Sequence, residues 1–452
     1  MAESSDDQRT VFVERQPKVA LMGLGCRVNQ SDLDALASGL PSPFVLAQPG
    51  EAADFVVVNT CTVTNDADSA SRQAIRRAVR EHPGARIIAA GCYAGVFPEV
   101  IAGIPGVTAV VGSRDQSSLP ELLRRLDAGE DPETALEQAA AGAPDWPPAP
   151  LDLVDHTRGF LKLQDGCDAR CSYCIIPSAR GPSRSLGFDD ALSRLATMGQ
   201  RHPEVVLAGV HLGQYGGDLE PRRSLTELVR MAVRQGVAKR LRFSSIEPLE
   251  FPFTLLQGET APFICEHFHI PLQSGSPKIL AAMRRPYRAS EYRRLVERIA
   301  AAVPGVCIGA DVITGFPGET DEDHRETVHL IEALPLAYLH IFPFSPRRGT
   351  PAAEMADQIP GAVARERARE LQALSDRRWR TFVAGQAGHV LEVVVERIEG
   401  GLARGTSRQW ITVRWPARRD QRGQVVKVRV EASDGSECFG VHAGVFSSRL
   451  LP

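Results

Sequence analysis

Cys167, Cys171 and Cys174 lie in the run Gly-Cys-Asp-Ala-Arg-Cys-Ser-Tyr-Cys, with Tyr173 directly before the last thiol. Three thiolates on one tight loop hold three irons of a 4Fe–4S cluster and leave the fourth iron without a protein ligand. An open iron suits S-adenosylmethionine (SAM). Its amino and carboxylate groups chelate the metal, and one electron from the cluster cleaves the sulfonium while the protein supplies orientation and shielding. Zinc would need a fourth nearby ligand, and none stands at finger spacing; His156, upstream, is out of pattern.

A second triplet is spread over three segments. Cys26 ends the apolar run from Lys18 to Gly25, Cys61 the run from Asp54 to Thr60, and Cys92 the run from Arg86 to Gly91. Each run predicts a buried strand of a parallel sheet, separated by helical stretches at Ser31 to Leu40 and Ala67 to Glu81. In an open α/β sheet the carboxyl ends of the strands share one edge, so the three cysteines converge there. Gly25 and Gly91 let the backbone approach closely. One such cysteine is more often a small buried hydrophobe. Three at equivalent places point to a second 4Fe–4S cluster, again with an open iron. Cys265, Cys307 and Cys438 have no partner spacing and are expected in the core.

The elements that must position these groups are bounded by size and composition. At 452 residues the chain holds two or three domains. Its hydrophobic content of 43% and charged content of 24% are ordinary for a globular protein. No apolar run approaches the roughly 20 residues of a membrane helix. The first 15 residues are acidic and polar, unlike a signal peptide, so a cytoplasmic, membrane-free protein is expected. Nine cysteines are too sparse for a disulfide scaffold. The net charge of −3 excludes a wholly basic nucleic-acid binder, not a basic patch on one module.

The expected fold class is α/β. An N-terminal open parallel sheet covers 16–127, and an Ala-, Pro- and acid-rich linker covers 128–152. From 153 to 383, strand-like runs at Gly159 to Leu163, Val205 to Gly209, Arg242 to Ser245, His267 to Pro271, Cys307 to Val312 and Ala337 to Phe342 alternate with helical patterns. Six β/α units predict a partial TIM-type barrel, closed off by a charged helix over 362–384. Short β-rich stretches at Val390 to Arg397, Trp410 to Val413 and Gln424 to Val430 predict a small antiparallel, OB-like barrel over 384–452.

With both triplets and the C-terminal barrel in this order, the chain resembles the radical SAM methylthiotransferase family over nearly its whole length. Gly25-Cys26-Arg27-Val28-Asn29-Gln30 and the run from Cys174 through Arg184 and Ser185 are similar to the MtaB-type branch, with Arg27 where Lys is common and Ser178 where Tyr is common. The resemblance implies an auxiliary-cluster domain, a radical SAM core and a C-terminal RNA-binding TRAM domain. It implies methylthiolation of C2 of N6-threonylcarbamoyladenosine at tRNA position 37, just 3′ of the anticodon. One SAM would donate a methyl group to sulfur at the auxiliary cluster, and a second would give the 5′-deoxyadenosyl radical. A low-potential electron donor and a monomeric enzyme are expected with it.

Residues beyond the cysteines fall at strand ends, the active face of such a barrel. Gly315 and Pro317 lie in the turn after the Cys307 strand, which in the family borders SAM. His211 and Gln214 follow another strand. Gln273 and Ser274 are expected near the methionyl or ribose groups, Arg285 near the SAM carboxylate, Tyr173 on the adenine, and Glu247 as a polar contact. A structural hydrogen bond or a helix cap is the alternative for each. The segment 381–452 carries 10 Lys and Arg against 7 Asp and Glu. Arg404, Arg408, Arg414, Arg418, Arg419 and Arg422 around Trp410 and Trp415, extended by Arg377, Arg378 and Arg380, suit phosphates and bases of a single-stranded loop. The alternative is that they merely solvate a small barrel. Competing functions are methylthiolation of a ribosomal-protein aspartate or of N6-isopentenyladenosine in tRNA, and a non-enzymatic iron–sulfur protein that binds tRNA.

Overall fold

The computed structural model describes residues 15–147, 157–417 and 420–445. Its N-terminal sheet contains β1 (Lys18–Gly23), β2 (Val45–Leu46), β3 (Phe55–Thr60), β4 (Arg86–Gly91) and β5 (Val107–Gly112), all parallel in the order β2-β1-β3-β4-β5. Every residue of β3 is buried, as its unbroken Phe-Val-Val-Val run requires of a strand covered on both faces. The strand order reverses between β1 and β3, the switch point where ligands bind in such sheets, and Cys26 and Cys61 follow these two strands. Gly91 has φ 99°, and a Cβ there would stand 2.2 Å from Asn59 Oδ1, so this close approach admits only glycine.

The stretch expected as a linker folds in part. Asp131 caps a helix over Pro132–Ala141 by accepting from the Thr134 amide, and Ala135 and Ala139 pack into the core of the first sheet. The Asp-Pro start was the legible signal there. Residues 148–156 lie outside the described residues, and His156 with them.

The central unit is β6 (Arg158–Asp165), β8 (Glu204–Gly209), β9 (Leu241–Phe243), β10 (His267–His269), β11 (Cys307–Thr314) and β12 (Tyr338–Pro343), with a short antiparallel β7 (Arg184–Ser185) beside β6. The six strands other than β7 run parallel in two ladders, and Ile246 N donates to His269 O at 3.0 Å where β9 meets β10. This is the six-unit open barrel expected. The helix Gly361–Ala384 packs outside β12, where Ser375 Oγ accepts from Leu339 N at 2.9 Å.

The C-terminal barrel is closed: β13 (Val390–Glu399), β14 (Leu402–Ser407), β15 (Thr412–Pro416), β17 (Cys438–Val445) and β16 (Val425–Ser433). It is not wholly antiparallel as expected, because β15 and β17 close it with a parallel pairing. A salt-bridged lock holds it to the central unit. Buried Arg242 donates to Glu204 at 2.7 and 3.0 Å and to the carbonyls of Ser407 and Arg408 at 3.0 and 2.9 Å. Arg408 answers with two bonds to Glu266, at 2.9 and 2.8 Å. Arg408→Ala should therefore cost roughly 1.5–3 kcal/mol, the size of a charge-assisted bond. Chemical denaturation should show it; a midpoint equal to wild type would remove Arg408 from the docking account.

Candidate active site

One cavity of about 700 Å³ joins the two cysteine triplets: Cys26, Cys61, Cys92, Cys167, Cys171 and Cys174 all line it. Strand ends of the first sheet supply one wall, strand ends of the central unit another, and Trp410 of the C-terminal barrel a third. All six thiols are free. Three soft donors from each unit are the set an iron–sulfur cluster takes, so the residues present fit that group. Burial pushes the Cys61 thiol up to about 11 and the Cys174 thiol up to about 12. At neutral pH these two are protonated in the metal-free protein, and metal loading releases their protons.

On the central side, Arg285 donates to Cys171 Sγ at 3.2 Å and to Tyr173 OH at 3.5 Å, and it pairs with Glu247. Burial raises the Glu247 carboxyl against the pull of Arg285. His211 lies 3.5 Å from Cys167 Sγ through Nδ1 and 2.6 Å from Glu250 through Nε2. Tyr173, Glu247, Gln273 and Arg285, four of the residues expected to contact SAM, line the cavity. Gln273 has φ 64°, a left-handed conformation fixed where its amide donates to Asp311 O at 2.8 Å.

Four expected contacts stand off the wall. Gln214 turns to Glu250. Ser274 is fully buried and shares its hydroxyl with Thr327 at 3.2 Å. Gly315 donates to Glu319 at 2.7 Å, and a Cβ there would meet Ala364 at 2.3 Å, so this turn seats the 361–384 helix. Pro317 is buried in the same turn.

Sequence reasoning missed the groups between the triplets. Arg180 is completely buried and ties both units together: it donates to Asp165 at 2.8 Å, Asp32 at 3.1 Å, Asn29 Oδ1 at 2.6 Å and Cys92 Sγ at 3.2 Å. His269, Asp311 and His340 bring their ligating atoms within 4.8 Å of one another on three adjacent strands. Burial would raise the Asp311 carboxyl, but His269 and His340 hold it well below the usual range. Polar residues in adjacent strands, such as Asp311 opposite His340, were the available signal.

The expected RNA face is differently used. Trp415 is 1% exposed, inside the C-terminal barrel, because β15 turns it inward. Trp410 faces the cavity, stacked on His267 and ringed by Arg27, Arg158 and Arg242 at 4.7, 4.5 and 4.9 Å from its centroid. Arg408 is consumed by docking, Arg414 pairs with Glu437 at 2.8 Å, and Arg378 donates to Leu334 O at 3.0 Å. Arg404 stays exposed. Arg418 and Arg419 lie outside the described residues.

Two family models match: the uncharacterized protein family UPF0004 over residues 18–112 and the radical SAM superfamily over 161–331. The chain is 34% identical to the threonylcarbamoyladenosine tRNA methylthiotransferase MtaB of Bacillus subtilis, covering 91% of this chain and 93% of that one. It is 36% identical to the MtaB of Aquifex aeolicus, over 84% and 92% of the two chains. It is 33% identical to the tRNA-2-methylthio-N(6)-dimethylallyladenosine synthase 1 of Mycobacterium marinum, over 91% and 80%. Among solved structures, the radical SAM methyltransferase TsrM from Kitasatospora setae with cobalamin and a [4Fe-4S] cluster matches with TM-score 0.53 at 16% identity, covering 86% of this chain and 81% of that one, a likeness of fold. With relatives this similar over most of their length, the chain belongs to the radical SAM methylthiotransferase family and is a transferase that uses SAM and a 4Fe–4S cluster.

Proposed function

We propose that this enzyme adds a methylthio group to C2 of N6-threonylcarbamoyladenosine at position 37 of tRNA. The observation that carries the reading is the convergence of both cysteine triplets on one cavity. Cys167, Cys171 and Cys174 would hold the cluster that SAM requires, and Cys26, Cys61 and Cys92 a second one, where sulfur is delivered. Cluster and SAM supply one-electron chemistry, which suits an adenine C2–H too weakly acidic for a general base. The chain's own residues bind and orient: Tyr173, Glu247, Gln273 and Arg285 around SAM, with Trp410 closing the far wall. The two most similar relatives named above carry the threonylcarbamoyl substrate in their names, which favours it over the dimethylallyl one. The enzyme would work as a monomer in the cytoplasm with a low-potential electron donor.

The test is anaerobic turnover with SAM and tRNA carrying one modified base at a time, followed by mass analysis of the nucleosides. The expected product is the 2-methylthio derivative of N6-threonylcarbamoyladenosine. Product from dimethylallyl tRNA alone would overturn the reading.

A further inference from the structure

Apart from its three histidines, His211, His269 and His340, five charged side chains line the cavity: Arg27, Arg180, Arg285, Glu247 and Asp311. Four are matched within the protein. Arg180 meets Asp32 and Asp165, Arg285 meets Glu247, and Asp311 meets His269 and His340. Arg27 has no carboxylate partner among the described residues; its guanidinium lies over the Trp410 indole, 4.7 Å from the centroid. The other two guanidiniums on that indole are neutralised, Arg158 by Glu396 at 3.0 Å and Arg242 by Glu204 at 2.7 Å.

We infer that Arg27, beside the Trp410 indole, is the receptor for the carboxylate of the substrate's threonyl group. The inference rests on the reading under Proposed function and names the contact that selects that substrate. An unmatched guanidinium on the cavity wall is the fork a carboxylate takes in two parallel bonds. Local geometry supports an anion there. Arg27 opens the helix Arg27–Ser38, whose first turn contains no acidic residue, so the helix dipole adds to the positive potential. Trp410 is fixed for the task by φ 67° and by its amide bond to Ser407 O at 3.1 Å. A dimethylallyl group would instead set hydrocarbon against an unpaired cation, which costs free energy without return.

The test uses the cluster-loaded enzyme and three anticodon stem-loop RNAs, one bearing N6-threonylcarbamoyladenosine, one its threonyl methyl ester and one the dimethylallyl base. Wild type should bind and turn over the acid better than the ester by roughly 10- to 150-fold, the worth of one charge-assisted bond. Arg27→Gln should lose that preference by weakening the acid to the level of the ester, and Arg27→Lys should keep part of it. Equal use of acid and ester by wild type overturns the inference and needs no variant that loads iron. So does an Arg27→Gln enzyme that keeps the preference, or one in which SAM affinity falls and the preference does not. Methylthiolation of a dimethylallyl stem-loop, with neither threonylcarbamoyl RNA accepted, overturns the function and not merely the contact.

Discussion

Replacing Cys167, Cys171 and Cys174 together with alanine should lower the iron of the anaerobically loaded protein from about eight per chain to about four and abolish turnover. The expectation follows from where the thiols stand. The loop triplet and the strand-end triplet come from separate units, yet all six groups line one cavity. Each set offers three donors, so each should load by itself. The reciprocal replacement of Cys26, Cys61 and Cys92 should also leave about four irons, with a different consequence. That protein should still cleave SAM to 5′-deoxyadenosine, while the methylthio product disappears. If wild type holds about four irons and the loop variant none, then Cys26, Cys61 and Cys92 are ordinary buried cysteines, and sulfur insertion loses its physical basis.

Those cysteines were legible because the signal is local. Each ends an apolar run whose neighbours in sequence are helical, and parallel sheet topology then forces the strand ends to one edge. The six central strands were legible for the same reason. What escaped depends on long-range packing. β14 contains Gly405 and two threonine or serine positions, a weak strand pattern that becomes a strand only when β13 and β15 flank it. Trp410 among arginines resembles a base-stacking surface in sequence. Its actual role is set by a left-handed turn and by the docking of the barrel, neither of which the local pattern encodes. Arg180 sits in a motif the sequence singled out, yet its partner Asp32 lies 148 residues away.

Arg180→Ala should cost roughly 3–5 kcal/mol, because it leaves an uncompensated charge in a buried site. Four charged side chains meet there: Asp32, Asp165, Lys162 and Arg180, each at most 5% exposed. Lys162 touches both carboxylates, and Arg184 reaches Asp165 from the more exposed rim at 3.5 Å, so within the buried set itself two acids face two bases. Alanine at 180 leaves a net negative charge, and it frees the Asn29 oxygen that Arg180 holds between the strand-end thiols. The charge account has a specific consequence. Adding Asp32→Asn to Arg180→Ala restores neutrality, so the double variant should recover part of the loss, whereas Asp32→Asn alone should destabilise. Denaturation of the metal-free proteins measures the cycle. Additive losses would mean that Arg180 acts by packing alone. Arg180→Lys keeps the charge without the planar fork, and one ammonium cannot reach Asp165, Asp32, Asn29 and Cys92 together. That enzyme should fold and load iron, yet cleave SAM with less methylthio product per cleavage than wild type. An unchanged ratio would show that Arg180 joins the two units without aligning their sites.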